Sequence, residues 1–120
     1  MPYELQSEKI VICGETLTVL QASNAMEIDR SMLISEADKK WPENAVDTKD
    51  KYNQYVETLL YPSLVACTVG PVPTVQEFMY SIPTADSDKW VETAMRINPL
   101  WFTFISDTDE KETEREEKKD

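Results

Sequence analysis

The sequence predicts an α+β fold of mainly α character. An N-terminal β-hairpin in residues 1–21 precedes a bundle of about four to five helices in residues 22–105, and a flexible acidic tail follows in residues 106–120. Two short apolar runs flank Gly14-Glu15, which announces the hairpin. Between Asp50 and Phe104, apolar residues recur at helical spacing between prolines, and this stretch holds two of the three tryptophans, four of the five tyrosines and all three phenylalanines. From Asp107 to Asp120 eight acids and four bases stand without an apolar side chain, so this stretch cannot bury enough surface to order itself.

A chain of 120 residues suits one domain and can bury about 65% of the surface its unfolded form exposes, so residues 1–105 are expected to form one globular unit. With 12 basic and 23 acidic residues the formal charge is -11, which favours solubility and repels nucleic-acid phosphates and anionic lipid heads. Neither nucleic acid nor a membrane is an expected partner, and no apolar run approaches the ~20 residues that span a bilayer. Histidine is absent, which removes the commonest general base and imidazole metal ligand. Cys13 and Cys67 lack CxxC spacing and no secretory h-region precedes them, so reduced thiols in a cytoplasm are expected.

Lys9-Ile10-Val11-Ile12-Cys13 and Thr16-Leu17-Thr18-Val19-Leu20 flank Gly14-Glu15, and a two-residue turn with Gly first is a type II′ signature. In that register Ile12 faces Leu17 and Ile10 faces Val19, so these four share one face while Val11, Cys13, Thr16 and Thr18 share the other. A lone hairpin is marginal in water, so its apolar face must rest on the helices.

Ser23 or Asn24 can cap the first helix, with Glu27 as a capping-box partner. Ala25, Ile28, Met32 and Leu33 form its apolar stripe, which either packs on the hairpin or, with adaptable Met26 and Met32, receives a partner. Pro42 ends this helix, and Asp47 or Thr48 can cap the next. There Tyr52, Tyr55, Val56, Leu59 and Leu60 fall on one face at i, i+3, i+4, i+7 and i+8. Pro62 kinks that helix or restarts it, Leu64 to Cys67 continue the apolar face, and Val69-Gly70-Pro71-Val72-Pro73 reads as a stiff connector without regular structure.

Thr74-Val75-Gln76-Glu77 matches a capping box for a short helix that presents Val75, Phe78 and Met79 and stops before Pro83. Thr84 or Asp86 can cap the last helix. Its stripe is Trp90, Val91, Ala94, Met95 and Ile97, its outer face carries a Glu92–Arg96 pair, and Asn98-Pro99 ends it. Leu100, Trp101, Phe102 and Phe104 are too apolar for a solvated loop. They fold back onto the core or await a partner, and folding back is favoured because large exposed apolar patches are rare.

Catalytic apparatus is missing. Asp107-Thr108-Asp109-Glu110-Lys111 begins like a calcium loop, but Lys111 and Glu112 replace the fifth-position oxygen ligand and the sixth-position Gly. Two glycines make no phosphate loop, no nucleophile-elbow or metalloprotease motif occurs, and no histidine is present to activate Cys67. The expectation is a non-enzymatic binding protein without metal or cofactor.

The central region resembles the tail assembly chaperones of long-tailed bacteriophages. The resemblance is carried by Tyr61-Pro62 and Leu64 in YPSLVA, Pro73 and Glu77-Phe78 in PTVQEF, Trp90 and Ala94 in WVETAM, and Asn98-Pro99 and Trp101 in NPLW. Hairpin followed by helix in TLTVLQASNAMEIDR also looks like their N-terminal part, so the likeness covers Gly14 to Phe102. It implies a chaperone in the host bacterial cytoplasm, absent from the mature virion. Its client would be the tape measure protein, with the major tail (tube) protein as a second client, and self-association stays open. In many such phages a frameshift extends some copies, and the acidic tail would be the place for it. Apolarity makes Leu100, Trp101, Phe102 and Phe104 the candidate contacts, with Met26 and Met32 behind them. The rival from another class is an acidic inhibitor, or DNA mimic, of a basic host protein, motivated by the net charge.

Overall fold

The structure, a computed structural model, describes residues 3–41 and 48–105. The helix cap expected at Asp47 and the tail expected at 106–120 lie outside the described residues. Among those described, a three-stranded antiparallel sheet and five helices give the α+β, mainly α fold that the sequence predicts.

Strands β1 (Ser7–Ile12) and β2 (Glu15–Leu20) pair with Ile10 opposite Leu17 and Ile12 opposite Glu15. The turn is therefore Cys13-Gly14, both at positive φ of 50° and 81°, the type I′ requirement. This corrects the predicted register by two residues. Because side chains alternate with period two, a two-residue shift leaves the faces unchanged, and Ile10, Ile12, Leu17 and Val19 are all buried. Cys13 tolerates its left-handed backbone because its N–H and thiol both donate to the Asp86 carboxylate at 3.2 Å.

Helix α1 (Asn24–Lys39) is capped by Ser23, whose hydroxyl accepts from the Met26 N–H. The predicted stripe is rotated. Ala25, Ile28 and Met32 are exposed, whereas Met26, Arg30, Leu33, Ile34 and Ala37 are the half-buried positions. The helix packs chiefly against the central helix and not on the hairpin.

The central helix is α2 (Thr48–Tyr55), a π-helical turn (Val56–Leu60) and α3 (Tyr61–Ala66). Pro62 has no N–H and its ring opposes the carbonyl four residues back. The wider turn before it, with Tyr61 N–H donating to the Val56 carbonyl five residues back, accommodates both. The extra residue also rotates the predicted face: Val56, Thr58 and Leu64 are buried, Leu59 and Leu60 are half-buried, and Tyr52 is exposed. The Thr58 hydroxyl donates back to the Gln54 carbonyl at 2.6 Å.

At the start of the stretch expected to be irregular, Thr68–Val69 forms β3, which pairs with β2 at Thr18 and Val19. The Leu20 N–H donates to the Cys67 carbonyl at 2.7 Å, so this short segment satisfies the end of β2.

Helix α4 (Val75–Tyr80) has the predicted capping box: Thr74 Oγ1 accepts from Glu77 N–H and Glu77 Oε1 from Thr74 N–H, at 3.1 and 3.0 Å. Helix α5 (Thr84–Ile97) follows Pro83, and neither Thr84 nor Asp86 caps it. Its Trp90 and Ala94 are fully buried, with Trp90 Nε1 donating to Thr68 Oγ1 at 3.0 Å. Arg96 pairs with Glu8 of β1 at 2.8 Å instead of the predicted Glu92, and this partner holds its pKa up. A 3-10 turn (Pro99–Phe102) then folds back, placing Trp101 and Phe102 in the same core as the hairpin face, Leu64, Phe78 and Trp90.

Candidate partner-binding surface

The six residues with predicted contact roles separate into four groups. Trp101 and Phe102 are core residues, 8% and 0% exposed, so the folded chain cannot offer them to a client. Phe104 is half-buried, edge-on to Tyr55 with ring centres 5.5 Å apart. Leu100 is 85% exposed and projects from the 3-10 turn. Met26 and Met32, by contrast, line one depression together. They lie at the seam of α1 and α3.

That seam carries two adjoining concave surfaces lined mainly by apolar side chains. One depression, of about 180 Å³, lies among Leu33, Ala37, Trp41, Tyr61, Val65 and Val75. A second, of about 520 Å³, lies among Met26, Met32, Leu33, Val65, Ala66 and Val69. They adjoin at Leu33, Glu36 and Val65. Their formation follows from the sequence of α1, which contains no fully buried residue: the helix rests on α3 by one edge and leaves Ile28 and Met32 outward, 61% and 58% exposed. The rim is charged. Among the described residues, Asp29, Glu36 and Glu57 supply carboxylates against the single amine of Lys40, and Glu57 also accepts from Trp41 Nε1 at 2.9 Å.

Two positioning residues escaped sequence reasoning. Arg30 is half-buried; its Nε donates to Ser63 Oγ at 2.8 Å and its Nη2 to the Trp101 carbonyl at 3.3 Å, while Glu27 lies 3.5 Å away. It fixes the position of α1, and so of the seam, on the core. Asn98 is buried; its Nδ2 donates to the Leu20 carbonyl at 2.8 Å and its Oδ1 accepts from the Ala22 N–H at 2.7 Å. In sequence, Arg30 looks like a surface charge and Asn98 like helix punctuation. The only available signal was Arg30 falling at i+4 from Met26 and three before Leu33.

Burial pushes the Cys67 thiol up to about 11, away from thiolate reactivity. The exposed Cys13 thiol is also raised, first by its hydrogen bond to Asp86. Burial raises Tyr61, with Glu77 adding to it. Among the described residues no three potential metal-ligating side chains converge, and no helix is long and apolar enough to cross a membrane. No protein-family model matches the chain, and no curated protein or solved structure is significantly similar to it.

Proposed function

We propose that the chain is a tail assembly chaperone of a long-tailed bacteriophage. It binds the tape measure protein, and the tail tube protein as a second client, in the host cytoplasm and is left behind when the virion matures. The observation that carries this reading is the α1–α3 seam, where a long helix leaves Met26, Met32 and the floor around Leu33 and Val65 open to an apolar client. The YPSLVA, PTVQEF, WVETAM and NPLW segments add the resemblance to that family. Covering apolar stripes of a long helical client, while a charge of -11 keeps the complex dispersed, is a holding mechanism that needs no catalytic group.

The test is a tagged pull-down from cells expressing the source phage or prophage, washed at low and high salt, with bound proteins identified by mass spectrometry. A very long tail protein or the tube subunit retained at high salt supports the proposal. Recovery only of a basic DNA-binding protein that washes off as salt rises overturns it in favour of an acidic inhibitor.

A further inference from the structure

The geometry points to a specific occupant: we infer that the α1–α3 seam takes an amphipathic helix flanked by Lys and Arg. This deepens the chaperone reading and rests on it for the source of the helix. The residues from Met26 to Trp41 that contribute to the two depressions span about 22 Å at 1.5 Å per residue, so roughly four turns of a partner helix can lie beside α1. Leu33 and Val65 form the shared floor, and unbranched Met26 and Met32 adjust to side chains of different shape. Anchors at i, i+3, i+4 and i+7 match such a groove.

Charge selects among the apolar occupants. Among the described residues, three carboxylates, Asp29, Glu36 and Glu57, line the seam against one amine, Lys40. A second copy of this chain would bring another -11 charge and the same acidic rim against it. A helix with cationic flanks instead pairs with Asp29 and Glu36, which stand exposed at the edge, and gains attraction during approach.

The probes are three synthetic 18-residue peptides: one with leucines on a single helical face and lysines flanking it, one with the same face and glutamates, and one scrambled basic sequence. Trp41 lines the groove while Trp90 and Trp101 are buried, so its fluorescence, backed by calorimetry, reports binding. The lysine-flanked amphipathic peptide is expected to bind at least 10-fold more tightly than either other peptide. Met32→Asp and Glu36→Lys, both at exposed positions, should each weaken it at least 10-fold with an unchanged circular dichroism spectrum, while Leu100→Asp leaves it unchanged. Equal binding of the glutamate-flanked peptide overturns the inference. So does sedimentation as a dimer that Met32→Asp dissociates, because a second copy then fills the seam. If the pull-down recovers the tape measure protein while the lysine-flanked peptide does not bind, this inference falls and the chaperone reading stands. Tight peptide binding with recovery only of a DNA-binding protein supports the seam specificity and overturns the chaperone reading.

Discussion

The guanidinium carbon of Arg30 lies 5.1 Å from the centre of the Trp101 ring, and the same group donates to the Trp101 carbonyl. A helix without a fully buried residue is thereby clamped to the segment that follows α5. Because Arg30 also donates to the buried Ser63 hydroxyl, Arg30→Ala should lower stability by about 1.5 to 3 kcal/mol, the range for charged hydrogen bonds. Arg30→Lys should recover less than half of that, since an ammonium lacks the planar fork that reaches two acceptors. Urea midpoints of the three proteins decide it.

Asn98 joins the end of the sheet to the end of α5 through one side-chain amide. Asn98→Ala deprives the Leu20 carbonyl and the Ala22 N–H of this partner, at a cost of about 2 to 4 kcal/mol. Asn98→Asp keeps an acceptor for Ala22 but sets a carboxylate against the Leu20 carbonyl. Its loss should be at least as large at neutral pH and should shrink as pH falls towards about 4, because burial beside a carbonyl raises the folded pKa of the new acid above its unfolded value, which equilibrium denaturation at pH 3.5 and 7 would reveal.

Cys67 has a folded pKa of about 11 against an ordinary 9.0. Its contribution to stability is therefore fully present below pH 9 and is lost as pH rises towards 11, by about 2 to 3 kcal/mol at completion. The difference in unfolding free energy between the native chain and Cys67→Ala, followed from pH 8 to 11, should show that decline. In native protein at neutral pH an alkylating reagent should label Cys13 alone, and Asp86→Asn should speed that labelling by removing the carboxylate that holds the thiol protonated.

The rotation introduced by the π-helical turn separates two leucines that look equivalent in sequence. Leu64 is fully buried and Leu59 is not. Leu64→Ala should cost about 2 to 5 kcal/mol and Leu59→Ala about 1 kcal/mol or less. Similar losses for both in thermal denaturation would contradict the rotated face.

Gly70 has φ of +127°, and a Cβ there would approach the Thr16 carbonyl oxygen at 3.1 Å and Leu17 Cδ2 at 3.3 Å. Gly14, at +81°, has open space around it. Gly70→Ala should therefore destabilise by about 1 to 3 kcal/mol, and Gly14→Ala by about 1 kcal/mol. The order of their melting temperatures checks the backbone path out of β3.

Local signals in the sequence carried local structure well. The faces of the hairpin follow from alternation alone, Thr74 and Glu77 form the capping box their spacing announces, and Trp90 and Ala94 lie where the helical period puts them. What was not legible depends on distant partners. The turn settles on Cys13-Gly14 with Asp86, 73 residues away, receiving its hydrogen bonds. β3 exists because β2 has an edge to satisfy, and the stripe of α1 rotates because Arg30 finds Ser63 and Trp101 inside. Of the predicted contact residues, Met26 and Met32 share a concave apolar surface, whereas Trp101 and Phe102 fill the core because apolarity by itself does not say which side of a fold a residue joins.

The Asn98 amide bonds to Leu20, 78 positions earlier in the chain. During synthesis at about 5 to 20 residues per second, the hairpin emerges and then waits several seconds for α5 and Asn98, the parts that cover its apolar face and tie down its end. Translation speed through the central helix thus sets how long Ile10, Ile12, Leu17 and Val19 stand uncovered on the nascent chain.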